Sequence, residues 1–197
     1  MMSGLVGRAL TGVLLALAGG PALCAHAQGS AGTEANIEPR RIVDLPTAGI
    51  LPASTAALEA DLYQEGGVLL GVELGLFDRL HAEIWYGGSR VVGTDDPAMN
   101  RAPGFHLKVR VLDESPVLPA VAIGFDSQGK DGFLKDLNRY RLKSPGFYAA
   151  LSRNYALAGH LSIHGGVNYT LERGDGDRDV NLFAGAEKSL GPALSLL

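Results

Sequence analysis

Cysteine is almost missing from this chain: 197 residues hold one, Cys24. That excludes a disulfide scaffold and a cysteine-ligated metal centre. Charge is sparse, 19% of residues with a net of −4, and no basic cluster exists, so nucleic acid is not a partner. Long apolar runs are lacking too; none reaches the roughly 20 residues that a spanning helix needs. Ser127 has no G-x-S-x-G elbow around it, and Gly129 with Gly132 read as loop flexibility, not as a phosphate cradle. No cofactor motif and no catalytic set follow from the residues.

Hydrophobic residues at 46% and 27 glycines are what the chain does have. Arg8, an apolar run from Ala9 to about Ala18 and Ala25-His26-Ala27 form the three parts of a secretory signal peptide, residues 1–27, cleaved before Gln28. Leu23 stands where a lipoprotein signal wants a small residue, so Cys24 is not lipidated and leaves with the signal. Roughly 170 residues remain, enough for one domain. Residues 28–55, with Pro46, Gly49 and Pro52 opposing a helix, are expected as a periplasmic N-terminal segment.

From Ala56 onward the apolar period is two. Strands are expected at 57–64, 67–77, 80–92, 104–112, 116–126, 146–154, 160–172, 179–190 and from 193 on. Val68, Leu70, Val72, Leu74 and Leu76 share one face of their strand; Leu69, Gly71, Glu73 and Gly75 share the other. In "FHLKVRV" and "LSIHGGVNYTLE" one face is wholly apolar and the other polar. Such strands border two different solvents. Connections alternate between short and long, and Tyr86, Phe105, Phe125, Phe147 and Tyr169 sit on the apolar face near the longer loops. Both are marks of an antiparallel up-and-down transmembrane β-barrel in the bacterial outer membrane, over residues 56–197 with at least eight strands. Glu73, Glu83, Lys108, Arg110 and His164 are then expected in the lumen, paired with one another and with water. The last strand is short of the ~9–11 residues that span, which favours the front part of a larger, incomplete barrel over a closed eight-strand one.

"IVDLPTAGILP", "GGVLLGVELGLFDRL", "PAVAIGFDSQG" and "KSPGFYAALSRNY" resemble the YjbH-type outer-membrane β-barrel proteins, a group associated with exopolysaccharide production. The motifs touch most of the chain from Ile42 to Tyr155 and are structural, so no catalytic residue is carried over. The resemblance implies a barrel, an envelope location and a non-enzymatic role in exopolysaccharide export or assembly, or in envelope structure. Expected partners are outer-membrane lipid and lipopolysaccharide, with polysaccharide or export machinery beyond them. The loop 127–145 carries Lys130, Lys135, Arg139, Arg141 and Lys143 and is the candidate extracellular contact for phosphate or acidic sugar groups. Two alternatives stay open: an outer-membrane lipid-modifying enzyme using Ser162, His164 and Glu172, and an exported soluble β-sandwich that binds a ligand. "RGDGDRD" begins a calcium-loop pattern at Asp175, Asp177 and Asp179 but lacks its glycine and its glutamate, and reads as a solvated hairpin tip.

Overall fold

The computed structural model describes residues 13–15, 38–156, 160–191 and 194–196. Eight long strands follow one another: β1 (Ala56–Tyr63), β2 (Gly67–Leu76), β3 (Leu80–Ser89), β4 (Gly104–Leu112), β5 (Ala120–Asp126), β6 (Gly146–Ala156), β7 (His160–Tyr169) and β8 (Asn181–Gly191). Each pairs antiparallel with its chain neighbour, and the sheet curls into an open half-barrel. Among the described residues β1 and β8 do not pair with each other. The outer edge of β8 carries only the three-residue β9 (Leu194–Leu196), and that of β1 carries Val13–Leu15. Closure would need the two edges to pair with each other along a strand's length, and the three-residue strands at these edges reach only about 10 Å. The rest of the expected signal peptide lies outside the described residues.

Strand boundaries follow the two-residue period with local corrections. The fifth strand begins at Ala120, not at 116, because Pro116 and Pro119 have no N–H for a ladder. The connection before it, 113–119, is therefore longer than the expected four-residue turn. At 64–66 the hairpin turns through Glu65 (φ 57) and Gly66 (φ 66), both left-handed, as a tight primed turn requires. Within the 127–145 loop a separate ribbon forms, Lys130–Leu134 against Arg139–Leu142, turning at Asn138 in the left-handed conformation.

The two faces of the sheet are sorted in the opposite sense to that of a soluble protein. Along β2 burial alternates residue by residue: Leu70 is 61% exposed while Glu73 is fully buried. Leu107 and Val109 on β4 face out, whereas His106, Lys108 and Arg110 are buried on the concave side. The convex face continues through Ile84, Ile123, Leu151 and Ile163, all exposed. Apolar core is scarce; its clearest cluster is Ala48, Ala120 and Ala122.

The concave face is occupied by the chain itself. Residues 38–51 lie against it, with Ile42, Ala48, Ile50 and Leu51 buried. This segment folds on itself in a short ribbon, Arg41–Ile42 against Leu45–Pro46, closed by Thr47 N–H donating to the Arg40 carbonyl at 3.3 Å.

Candidate functional site

Strand parity brings the charged residues together. On β2 and β3, Glu73 stands directly opposite Glu83; on β3 and β4, Glu83 stands opposite His106 and His81 opposite Lys108. Two carboxylates facing each other across a ladder repel. The 38–51 segment resolves this by sending an arginine to each. Arg40 Nε donates to Glu73 Oε2 at 2.6 Å, and Arg41 pairs with Glu83 while its guanidinium stacks 4.5 Å from the Trp85 ring centroid. The indole lies over Gly71, where any Cβ would meet it at 2.7 Å, so a glycine opposite Trp85 is a packing requirement.

Glu83 is the centre of the network. Trp85 Nε1 donates to its Oε2 at 2.6 Å, His81 Nε2 lies 2.6 Å from its Oε1 and His106 Nδ1 lies 2.8 Å from the same oxygen. The His106 contact is close but off the donor axis, so it counts as an electrostatic approach and not as a hydrogen bond. On its far side His106 Nε2 meets the Tyr148 hydroxyl at 2.5 Å. His81, Glu83 and His106 are the kinds of group that hold a divalent cation, with donor atoms within 4.8 Å of one another. Two features weigh against that use. Leu51 N–H points at His81 Nδ1 (3.3 Å), which leaves the proton on Nε2, the nitrogen a metal would need. Arg41 also supplies positive charge to the same carboxylate.

Lower in the hollow, Lys108 Nζ donates to the Arg40 and Gly49 carbonyls at 2.7 and 2.9 Å, and Arg110 pairs with Glu38 and donates to the Ala48 carbonyl at 3.0 Å. Ser152 Oγ accepts from Ala48 N–H at 2.9 Å and lies 2.8 Å from His164 Nδ1. The inward placing of Glu73, Glu83, Lys108, Arg110 and His164 therefore matches expectation, while their partners are largely the 38–51 segment.

Other expectations separate. Ser162 donates to Asn154 Oδ1 (2.7 Å), and Glu172 accepts from Tyr140 N–H and Ser144 N–H (2.7 and 3.0 Å). Ser162, His164 and Glu172 thus serve three different contacts, and no catalytic set gathers around them. Four of the five loop cations are engaged internally. Lys130 binds Asp44 at 2.5 Å and also Asp61; burial opposes its charge, but these two carboxylates raise its pKa above the ordinary value. Arg139 pairs with Asp175 at 3.1 Å, and Arg141 reaches Glu65 and Asp131 at 3.5 and 3.7 Å. Lys143 bridges Asp175 and Asp177 at 2.7 and 2.9 Å, and its hydrogen bonds hold both carboxylates below their usual pKa. Two of the three carboxylates that a calcium ion would use, Asp175 and Asp177, are thereby taken up by cations of the chain. Lys135, at the ribbon tip, has no carboxylate partner among the described residues.

Gly124, Gly129 and Lys130 stand at the spacing of a phosphate-binding loop. Asp131 replaces the expected hydroxyl residue, a ribbon follows instead of a helix, and Lys130 is already paired. The role of the 38–51 segment had one sequence signal, Glu38, Arg40 and Arg41 beside an apolar stretch, three charges opposite in sign to Arg110, Glu73 and Glu83. Compared with family models, with curated proteins and with solved structures, the chain matches none, so its likeness to the YjbH-type proteins stands on the quoted motifs alone.

Proposed function

We propose that this chain is an outer-membrane β-barrel protein, or the wall of one, whose convex face meets lipid and whose role is non-enzymatic. The observation that carries the reading is the inversion of polarity: aliphatic residues line the exposed convex face and Glu73, Glu83, Lys108 and Arg110 are buried on the concave one. A soluble monomer rarely exposes a continuous apolar patch beyond a few hundred Å². A sandwich would cover it with a second sheet, and only two small ribbons accompany the main sheet among the described residues.

The aromatic positions support the same reading. Phe125 pairs with Phe147 and Phe147 with Tyr169 across neighbouring strands, and the first two rings lie 4.9 Å apart. This row runs beside the long connections 127–145 and 170–180. On β6 the next outward aromatic is Tyr155, eight residues beyond Phe147. At ~3.3 Å per residue that is ~26 Å along the strand, or ~20 Å at a barrel's ~40° tilt, comparable with an apolar band ~25 Å tall. Within this reading the motif resemblance assigns exopolysaccharide export or assembly, or envelope structure, as the process served. Lipopolysaccharide then lies beside the ribbon and its Lys135.

Fractionation of the expressed chain, followed by gel mobility with and without boiling, tests the proposal. Recovery in outer membranes with a boiling-dependent shift is expected. Recovery as a soluble periplasmic protein would overturn the lipid-facing assignment.

A further inference from the structure

The segment 38–51 and the sheet are joined in an unusual way. Among the described residues no strand of the sheet forms a backbone-to-backbone hydrogen bond with it. Its attachments run through side chains: Glu73 from β2, His81 and Glu83 from β3, Lys108 and Arg110 from β4, Ser152 from β6, and Lys130 of the loop ribbon, which binds Asp44. Its own backbone is satisfied partly by the Arg41–Pro46 ribbon and the Thr47–Arg40 bond, and partly by those wall side chains, which meet the Arg40, Ala48 and Gly49 carbonyls and the Ala48 and Leu51 N–H groups. The situation changes just downstream. Ser54 N–H donates to the Gly75 carbonyl at 2.9 Å, and Gly75 N–H donates to the Thr55 carbonyl at 2.9 Å, which fastens the chain to β2 by its main chain. Ser54 itself turns through a left-handed φ of 60. A side-chain-tethered insert thus meets a backbone-tethered anchor at residues 52–55.

We propose that residues 38–51 are a withdrawable plug: a unit that leaves the concave face, pivoting at 52–55, while β1 to β8 keep their pairing. The wall it would leave is polar, and water can replace each lost hydrogen bond to Glu73, Glu83, Lys108, Arg110 and Ser152. The main opposition comes from Ile42, Ile50 and Leu51, which are buried only in the docked state. The open side of the half-barrel supplies the way out. Withdrawal would expose a hydrated trough of mixed charge floored by Trp85 and Tyr148. This inference rests on the bonding pattern and is independent of the membrane reading.

Its test is native-state hydrogen exchange on the full chain, combined with thiol labelling of Ala122→Cys in a Cys24→Ser background. Ala122 is fully buried and clusters with Ala48 of the plug, and its replacement removes no hydrogen bond. In sub-denaturing urea the amides of Ala48, Ile50 and Leu51 and the thiol introduced at position 122 should become reactive together. Amides of β2 to β6 should remain protected under the same conditions. Arg40→Gln with Arg41→Gln should accelerate labelling of that thiol tenfold or more while the amides of β2 to β6 still exchange more slowly than those of the plug. One shared midpoint for plug, thiol and strands would overturn the proposal. So would an arginine double variant that leaves labelling of the thiol unchanged.

Discussion

At the scale of single residues, Glu83 is the most exacting position. It takes hydrogen bonds from Trp85 and His81 and pairs with Arg41, and it is itself only 2% exposed. Replacing one partner of a buried ion pair leaves the other charge uncompensated, so Glu83→Gln should cost about 3–5 kcal/mol. A urea or guanidinium titration of the folded protein, read by Trp85 fluorescence, checks this; a loss below about 1 kcal/mol would mean that water reaches the pair. Lys143 gives a pH signature outside the sheet. Its bonds depress the pKa of Asp175 and Asp177, so their contribution is present above the ordinary carboxylate pKa of ~4 and is lost as pH falls through the lowered values. Protection of the 130–142 ribbon amides, relative to their intrinsic exchange rates, should therefore fall below pH ~4. Lys143→Met should make exchange fast at neutral pH and remove that step.

At the scale of elements, the convex face separates lipid from water as its neighbour. Val72 lies near the middle of β2, outward and 48% exposed. In a bilayer Val72→Arg should cost about 2–4 kcal/mol, whereas on a water-facing strand it would change stability by under about 1 kcal/mol. Refolding into vesicles, with the unfolding midpoint compared between the two proteins, decides it. The strands themselves were legible because burial on one face and exposure on the other impose a period of two, which "GVLLGVELGL" and "FHLKVRV" display without interruption. Less legible was the 130–142 ribbon. Its signal was faint, an aromatic on each side of Lys135-Asp136-Leu137-Asn138, since Phe133 and Tyr140 prove to be a directly paired edge-to-face contact at 5.1 Å. The plug was the least legible. Local propensity describes Pro46, Thr47 and Gly49 as irregular chain, and nothing local says that an irregular chain fits against a curved sheet. The inward charges did show that a partner was needed. Water and one another were the simpler partners to assign, and the arginines of 38–51 take that place.

At the scale of the whole molecule, strand order equals chain order. Every pairing among β1 to β8 joins successive strands, which keeps the entropy of closing each loop small and lets the sheet grow one hairpin at a time. The bonds of the 38–51 segment obey another rule. Lys108 reaches back 68 residues to the Arg40 carbonyl, and the Ala48–Ser152 bond spans 104. Those contacts have no partner until β4 and β6 are in place. During synthesis the segment leaves the ribosome before any of its binding sites exist, and it must wait, solvated, while most of the sheet is assembled behind it. A piece made before β1 to β8 is therefore seated after them. The arginine side chains that later neutralise Glu73 and Glu83 keep it soluble in the interval.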